Sequence, residues 1–317
     1  MTLSPAAVDR GGDPLRGILL KVVSVIVFVA MQTLIKLAGE GIPAGEIVFF
    51  RSFFALVPVA LYLWWLGDLA TALRTDDLPG HFFRGLIGVT SMGLGFFALT
   101  RLPYPEWISI SYGAPLLTVV FAALFLKEKV RLYRWSAVLV GLVGILIVSL
   151  PKLTLFSEGF DRAEGVGILA SLGAAAVSAV AMIQIRRLVR TEKTATIVVY
   201  FTLTSSTIAL VSLPFGWVWP RSDQAVLLVC AGLCGGVGQL LLTGCYRYAD
   251  ASTIAPFEYT SLVLAIALGA FLFEEIVTPS TLVGGLVVVA AGIYIIFREH
   301  QLGIERRKAR KVSPPSP

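Results

Sequence analysis

"APLLTVVFAALFLKEKVRLYRWSAVLVGLVGILIV" (residues 114–148) and "SLVLAIALGAFLFEEIVTPSTLVGGLVVVAAGIYII" (residues 261–296) are two versions of one pattern. In each, an apolar run ends in Leu or Phe and then Glu, a short polar turn follows, and a glycine-bearing apolar run closes the unit. Glu128 lies over Glu275 at an offset of 147. Self-similarity over so long a period marks repetition of a whole structural unit, and here the unit is a pair of membrane-length helices.

The rest of the chain has the same character. It has 317 residues, is 56% hydrophobic and only 15% charged, and has a mean hydropathy of +0.83. A helix rises about 1.5 Å per residue and the hydrocarbon core is about 30 Å thick, so a crossing takes roughly 20 apolar residues. Ten such runs are read: 17–38, 45–66, 80–100, 104–126, 133–150, 165–185, 194–213, 224–246, 252–273 and 279–297. Short turns rich in Gly, Pro and charge separate them. The expected fold is an all-α integral membrane protein of ten transmembrane helices. Five runs per half is an odd number, so the second half enters the membrane upside down and the halves form two inverted five-helix repeats. Inverted repeats suit secondary transporters, because equivalent halves can rock about a midplane site.

Charge sets the expected orientation. With the N-terminus inside, twenty of the 26 Lys and Arg fall on or near the cytoplasmic side, Lys21 and Arg84 among them. Arg101, Lys152, Arg162 and Arg221 fall opposite, and Lys36 and Arg51 fall within spans. Positive residues favour the cytoplasm, so both termini are expected there. The net charge of +6 is thereby a topology signal that also suits anionic lipid, and no nucleic-acid partner is expected. The divisions are a cytoplasmic segment 1–16, a first repeat 17–150, an external loop 151–164, a second repeat 165–297 and a basic, disordered tail 298–317.

The stretches "ALTRLPYPEWISISYGAPLLTVVFAALFLKEKVRLYRWSAVLVGLVGILIV" (98–148) and "CYRYADASTIAPFEYTSLVLAIALGAFLFEE" (245–275) resemble the paired EamA domains of the drug/metabolite transporter superfamily. The resemblance covers roughly residues 15–297. It implies a ten-helix carrier in a bacterial inner membrane with a central cavity between the halves. It also implies small organic cargo: amino acids or related metabolites for export, or riboflavin or S-adenosylmethionine for uptake. The second copy has Ser261 and Leu262 where Ala114 and Pro115 stand, so the kink expected of the fourth span is not expected of the ninth.

Ionisable groups inside spans are costly and usually face a bundle interior or a wet cavity. Arg51 and Glu258 each lie about six residues, or roughly 9 Å, inside a span from opposite faces. They are candidates to bracket a central cavity, Arg51 meeting an anionic group of the cargo and Glu258 a cationic group or a coupling proton. The plainer alternatives are snorkelling or an Arg51–Glu46 pair, and a helix-start role for Glu258. Gln32 and Lys36 share a face of the first span, with Lys36 snorkelling or pairing with Glu46. Glu46 opens the second span, either complementing its dipole or facing the cavity. Tyr112, Tyr259 and Gln239 are deep polar groups and cavity candidates. Trp107 and Tyr104 read as interfacial aromatics, and Glu128 and Glu275 as residues that fix a helical hairpin.

Cys230, Cys234 and Cys245 match no zinc or redox spacing. No phosphate-binding loop appears, and His81 and His300 belong to no catalytic motif, so neither an ATP-driven pump nor an enzyme is expected. No cofactor is implied. A passive channel or lipid scramblase remains as the alternative class. The expected partners are a small-molecule substrate, with proton coupling left open, and membrane lipid, and the working unit is expected to be a monomer.

Overall fold

The computed structural model describes residues 14–39, 41–125, 132–149, 162–188, 191–248 and 255–312, and every regular element among them is helical. The order is α1 (Pro14–Ala38), α2 (Ala44–Leu66), α3 (Leu78–Leu99), α4 (Tyr104–Ser111), α5 (Gly113–Phe125), α6 (Leu132–Ser149), α7 (Arg162–Leu188), α8 (Thr194–Leu210), α9 (Ser222–Tyr248), α10 (Thr260–Leu272) and α11 (Pro279–Val312). Two 3-10 turns, Leu213–Phe215 and Ala255–Tyr259, complete it. Among the described residues five helices are long and apolar enough to cross a membrane: Leu15–Ala38, Ala44–Leu66, Leu78–Leu99, Glu164–Ile185 and Ser222–Leu242. Shorter apolar helices fall on four of the other five predicted runs, all but 104–126. Glu128 and most of the 151–164 loop lie outside the described residues.

Local chemistry sets the ends. Gly67 closes α2 in the left-handed region at φ 70°, where a side chain would be strained, and its N–H returns to Trp64. Asp77 opens α3 by accepting from the Gly80 amide at 3.0 Å. The predicted fourth span is not one helix: it breaks at Tyr112, between α4 and α5. Pro115 lacks the N–H that would bond the Ser111 carbonyl, and its ring crowds that carbonyl, so the ladder opens one turn earlier. The ninth run breaks as well, contrary to expectation. There the 3-10 turn ends at Tyr259, where the Thr260 hydroxyl bonds the Phe257 carbonyl at 2.6 Å and the Ser261 hydroxyl bonds that of Glu258 at 2.7 Å. Side-chain competition for backbone carbonyls does here what proline does in the first copy. The basic segment expected to be disordered continues α11 as far as Val312.

Helices from before residue 150 pack mainly on helices from after residue 162. The largest interfaces are α1 with α9, α6 with α11, α3 with α7, and α2 with α8 and α9. Glycine permits the closest of these. A Cβ at Gly232 would stand 2.7 Å from the Phe50 carbonyl oxygen, and one at Gly236 would stand 2.6 Å from that of Ala55, so α9 rests on the backbone of α2. Ser24 reaches the Gly238 carbonyl and Ser91 that of Ala174, each at 3.1 Å. Outward faces stay apolar, and Trp64, Trp65 and Trp219 stand exposed near helix ends, as an interfacial belt requires. Trp107 and Tyr104 do not join that belt. Both are buried, Trp107 donating to the Gly95 carbonyl at 2.9 Å and Tyr104 to the Gln32 side-chain oxygen at 2.8 Å.

Candidate functional site

A line of polar side chains runs along α1 and meets the two flanks of α10. Near the C-terminal end of α1, the Lys36 ammonium stands 2.9 Å from Glu275 Oε1 and donates to the carbonyls of Leu102 at 2.6 Å and Leu99 at 3.4 Å. Its three N–H donors thus have three acceptors. The other carboxylate oxygen, Oε2, accepts the Tyr104 amide at 2.8 Å, which places a negative charge on the N-terminus of α4. Glu274 has φ 53° and turns the chain there, and the Glu275 amide then bonds the Gly269 carbonyl at 2.8 Å. Glu275 therefore ties the end of α10 to α1 and α4, rather than fixing its own hairpin. Lys36 neither snorkels nor meets Glu46. The Tyr104 hydroxyl links this cluster to Gln32.

The opposite end of α1 carries a second ion pair. Lys21 Nζ lies 3.3 Å from Glu258 Oε2, with the lysine buried and the glutamate side chain 53% exposed. Lys21 and Lys36 are fifteen residues apart, about 22 Å along the helix. Glu258 belongs to the 3-10 turn before α10, so two lysines of one helix hold the two ends of another element.

Between these ends lie the paired tyrosines. Tyr112, at the break between α4 and α5, and Tyr259, at the start of α10, meet edge to face with ring centroids 5.0 Å apart. The Tyr112 hydroxyl contacts the Ser261 hydroxyl and donates to the Glu258 carbonyl at 3.4 Å, while the Tyr259 hydroxyl packs against Gly292. Gln239 is half-buried on α9, one turn after Gly235. Glu46 is buried away from this line, and its Oε2 accepts the Val218 amide at 3.1 Å, holding the loop after α8.

A separate cationic cluster lies among α2, α3 and α8. Arg51 and Arg84 are 5% and 7% exposed, and both guanidiniums face the ring of Phe201, at 5.8 Å and 4.2 Å from its centroid. Arg51 has no Glu46 partner. A cavity of about 290 Å³ lies between the same three helices, toward the start of α2 and the end of α8, lined by Gly45, Val48, Val89, Gly93 and Ile208 among others.

At the same end of the bundle as Lys21, Glu192 joins the α2–α3 loop to the α7–α8 turn. It accepts from the Thr75 hydroxyl at 2.7 Å and the Asp76 amide at 3.3 Å, and it stands 3.6 Å from His81 Nε2. Burial opposes its ionisation, but the Thr75 hydroxyl, the Asp76 amide and His81 outweigh that and hold its carboxyl below the usual range.

Sequence reasoning brought forward Gln32, Lys36, Glu46, Arg51, Tyr112, Gln239, Glu258 and Tyr259; the structure joins Gln32, Lys36, Tyr112, Glu258 and Tyr259 along the α1–α10 line, and places Arg51 and Glu46 elsewhere and Gln239 on α9. It missed Lys21, Arg84, Tyr104 and Glu275. Lys21 and Arg84 were placed with the cytoplasmic charges although each stands inside an apolar run, and that position alone was a usable signal.

The family model described as "EamA-like transporter family" matches residues 15–150 and 165–298. A protein named S-adenosylmethionine uptake transporter from Rickettsia bellii is 26% identical over 85% of this chain and 89% of its own. The pseudopaline exporter CntI of Pseudomonas aeruginosa is 29% identical over 87% and 94%, and a riboflavin transporter of Vibrio cholerae is 27% identical over 89% and 93%. A solved structure described only as "Crystal structure of protein" shares the fold, with a TM-score of 0.63 at 19% identity over 88% of this chain and 95% of the other.

Proposed function

The chain belongs to the EamA-like transporter family and is a small-molecule transporter rather than an enzyme, and from that premise we propose a secondary carrier of small organic metabolites that works by alternating access. Its place is a bacterial inner membrane, crossed ten times by two inverted repeats, with both termini in the cytoplasm. The observation that carries this reading is the double tie between α1 and the flanks of α10. Lys21–Glu258 lies at one end and Lys36–Glu275 at the other. A carrier needs two closures that open in alternation, and ion pairs at opposite ends of one helix supply them at modest cost. The Lys36–Glu275 end is the more enclosed, with both side chains largely buried, whereas Glu258 is half in the open. On this reading the Lys36–Glu275 end is the closed one, and with both termini in the cytoplasm it would face outward.

Two further features support the inverted repeat. The α1–α9 and α3–α7 interfaces exchange when the halves are exchanged, since the first run pairs with the eighth as the sixth pairs with the third. Tyr112 and Tyr259, separated by the repeat offset of 147, meet face to edge as residues beside a twofold axis would.

Export of amino acids or related compounds is the first reading of the cargo. Uptake of a vitamin or nucleoside-type cofactor is the second, favoured by the names of the Rickettsia and Vibrio relatives. The test is counterflow in proteoliposomes with a panel of amino acids, flavins, nucleosides and S-adenosylmethionine. A carrier accelerates labelled uptake when unlabelled cargo waits inside. Cargo flux without such acceleration would point instead to a channel or scramblase.

A further inference from the structure

Arg51 and Arg84 pose a problem of charge. Each lies deep in its helix, seven and six residues from the helix start, or about 10 Å along the axis. Among the described residues no carboxylate faces either one. Arg51 Nε, Arg84 Nε and Arg84 Nη1 are buried with no hydrogen-bond acceptor. The same is true of Ser52, the neighbour of Arg51, and of Ser205, one turn along α8 from Phe201. The two serines lie on the same packed helices as Arg51 and Phe201, and each of these groups has a hydrogen to give. Buried polar groups are ordinarily paired, and an isolated buried charge is costly, so a cluster of donors without an acceptor implies an acceptor from elsewhere.

The surroundings are shaped for the arginine heads. A Cβ at Gly88, one turn from Arg84 on α3, would come within 2.4 Å of Arg84 Nη1 and of the Phe201 ring. A Cβ at Gly235 on α9 would lie 3.1 Å from Arg51 Nε. Both guanidiniums lie over the Phe201 ring, which attracts them through its face. It fixes their positions without neutralising them. The cavity between the same helices is lined by Val48, one turn before Arg51, and by Val89, beside Gly88, but by neither arginine.

We propose that Arg51 and Arg84, held by Phe201, form an oxyanion-binding site, and that the cargo carries a carboxylate or phosphate which occupies it. This rests on the carrier reading and narrows it: cargo that is neutral or only cationic does not fit. Guanidinium is suited to the task, since its fork of N–H donors matches the planar or tetrahedral oxygens of such groups.

The test uses the full chain purified in detergent micelles and read by thermal denaturation, so it does not depend on knowing the cargo. Acetate, benzoate and inorganic phosphate are compared with acetamide and benzamide at constant ionic strength, on wild type, Arg51→Met, Arg84→Met and the loop control Arg74→Met. Oxyanions are expected to raise the melting temperature of wild type and Arg74→Met, and the amides are not. In Arg51→Met or Arg84→Met the apparent affinity falls about tenfold or more, the scale of a lost charge-assisted hydrogen bond. A response to benzoate identifies a carboxylate cargo, and a response to phosphate alone a phosphorylated one. The ligand-free methionine variants are expected to melt no lower than wild type, because the substitution removes an unpaired buried charge. Gly88→Ala displaces the Arg84 head while keeping its charge and should lose the oxyanion response too, a readout that survives if a methionine variant fails to purify. The proposal is overturned if no oxyanion stabilises wild type, if the response persists in both methionine variants, or if those variants melt far below wild type. Failure of the carrier reading is separate: absent counterflow with the oxyanion response intact would remove transport and leave the site.

Discussion

Glu275→Gln isolates the charge at the more enclosed end of the α1–α10 line. The substitution keeps an oxygen for the Tyr104 amide and removes only the ionic part of the Lys36 contact. At 2.9 Å the Coulomb attraction is about 6 kcal/mol for an effective dielectric of 20. Both side chains are mostly buried, so desolvation offsets much of this, and a hydrogen bond between charged groups typically contributes about 1.5–3 kcal/mol net. If the pair exists only in the state closed at this end, that loss multiplies the opening constant by roughly 10 to 150. A single cysteine at Met31, a buried α1 position packed near Gly235 and Arg51, reports the opening in a chain otherwise freed of cysteine. Its reaction with a membrane-impermeant maleimide added on the side opposite the termini should quicken at least tenfold in Glu275→Gln. Lys36→Met should behave alike, and the double variant should add little, because both remove one interaction. An unchanged rate in both single variants, with labelling readily measurable, would refute the idea that this pair holds the end shut.

Other expectations concern stability. Tyr112→Phe removes the hydroxyl that reaches Ser261 and the Glu258 carbonyl and should cost about 1 kcal/mol in denaturant unfolding. Gly292→Ala would drive a methyl into the Tyr259 ring end and should destabilise more, with Tyr259→Phe restoring part of the loss in a double-variant cycle. The Glu192 carboxyl is depressed in the folded state, so its stabilisation is fully present above the ordinary glutamate value of 4.5 and is lost as pH falls through the lower folded value. The acid limb of the melting profile should therefore be shallower in Glu192→Gln than in wild type.

The helices were legible from apolar run length because lipid demands it, and the repeat was legible because its two copies keep their spacing. The breaks were half legible. Pro115 announces the first, whereas the second depends on the Thr260 and Ser261 hydroxyls competing for carbonyls, which single residues do not announce. Partners were the least legible. Glu275 looks like a solvated end residue in the sequence, and only the left-handed turn at Glu274 aims it back at Lys36 and Tyr104. Trp107 and Tyr104 have the composition of a membrane belt, yet α4 is packed inside the bundle and each finds an internal acceptor.

The lysines of α1 and the arginines of α2 and α3 show why charge counts alone mislead in such a chain. Among the described residues Lys21, Arg51 and Arg84 are buried and Lys36 largely so, and the structure divides them by what they face. Lys21 and Lys36 have carboxylates from the α10 flanks, so their energy varies with how α1 sits against α10 and they would restrain any shift between the two. Arg51 and Arg84 have an aromatic ring and unpartnered neighbours, so nothing within the described fold compensates their charge. Ion pairs that the protein completes by itself are suited to closing its ends, and cations it leaves incomplete are suited to holding something brought from outside. An anion bound between α2, α3 and α8 would also bridge the two halves, because α2 and α3 come from the first and α8 from the second. Under the proposed alternating access, occupancy would then strengthen the contact between the halves and couple cargo binding to the ion pairs at either end through differential affinity for the two states.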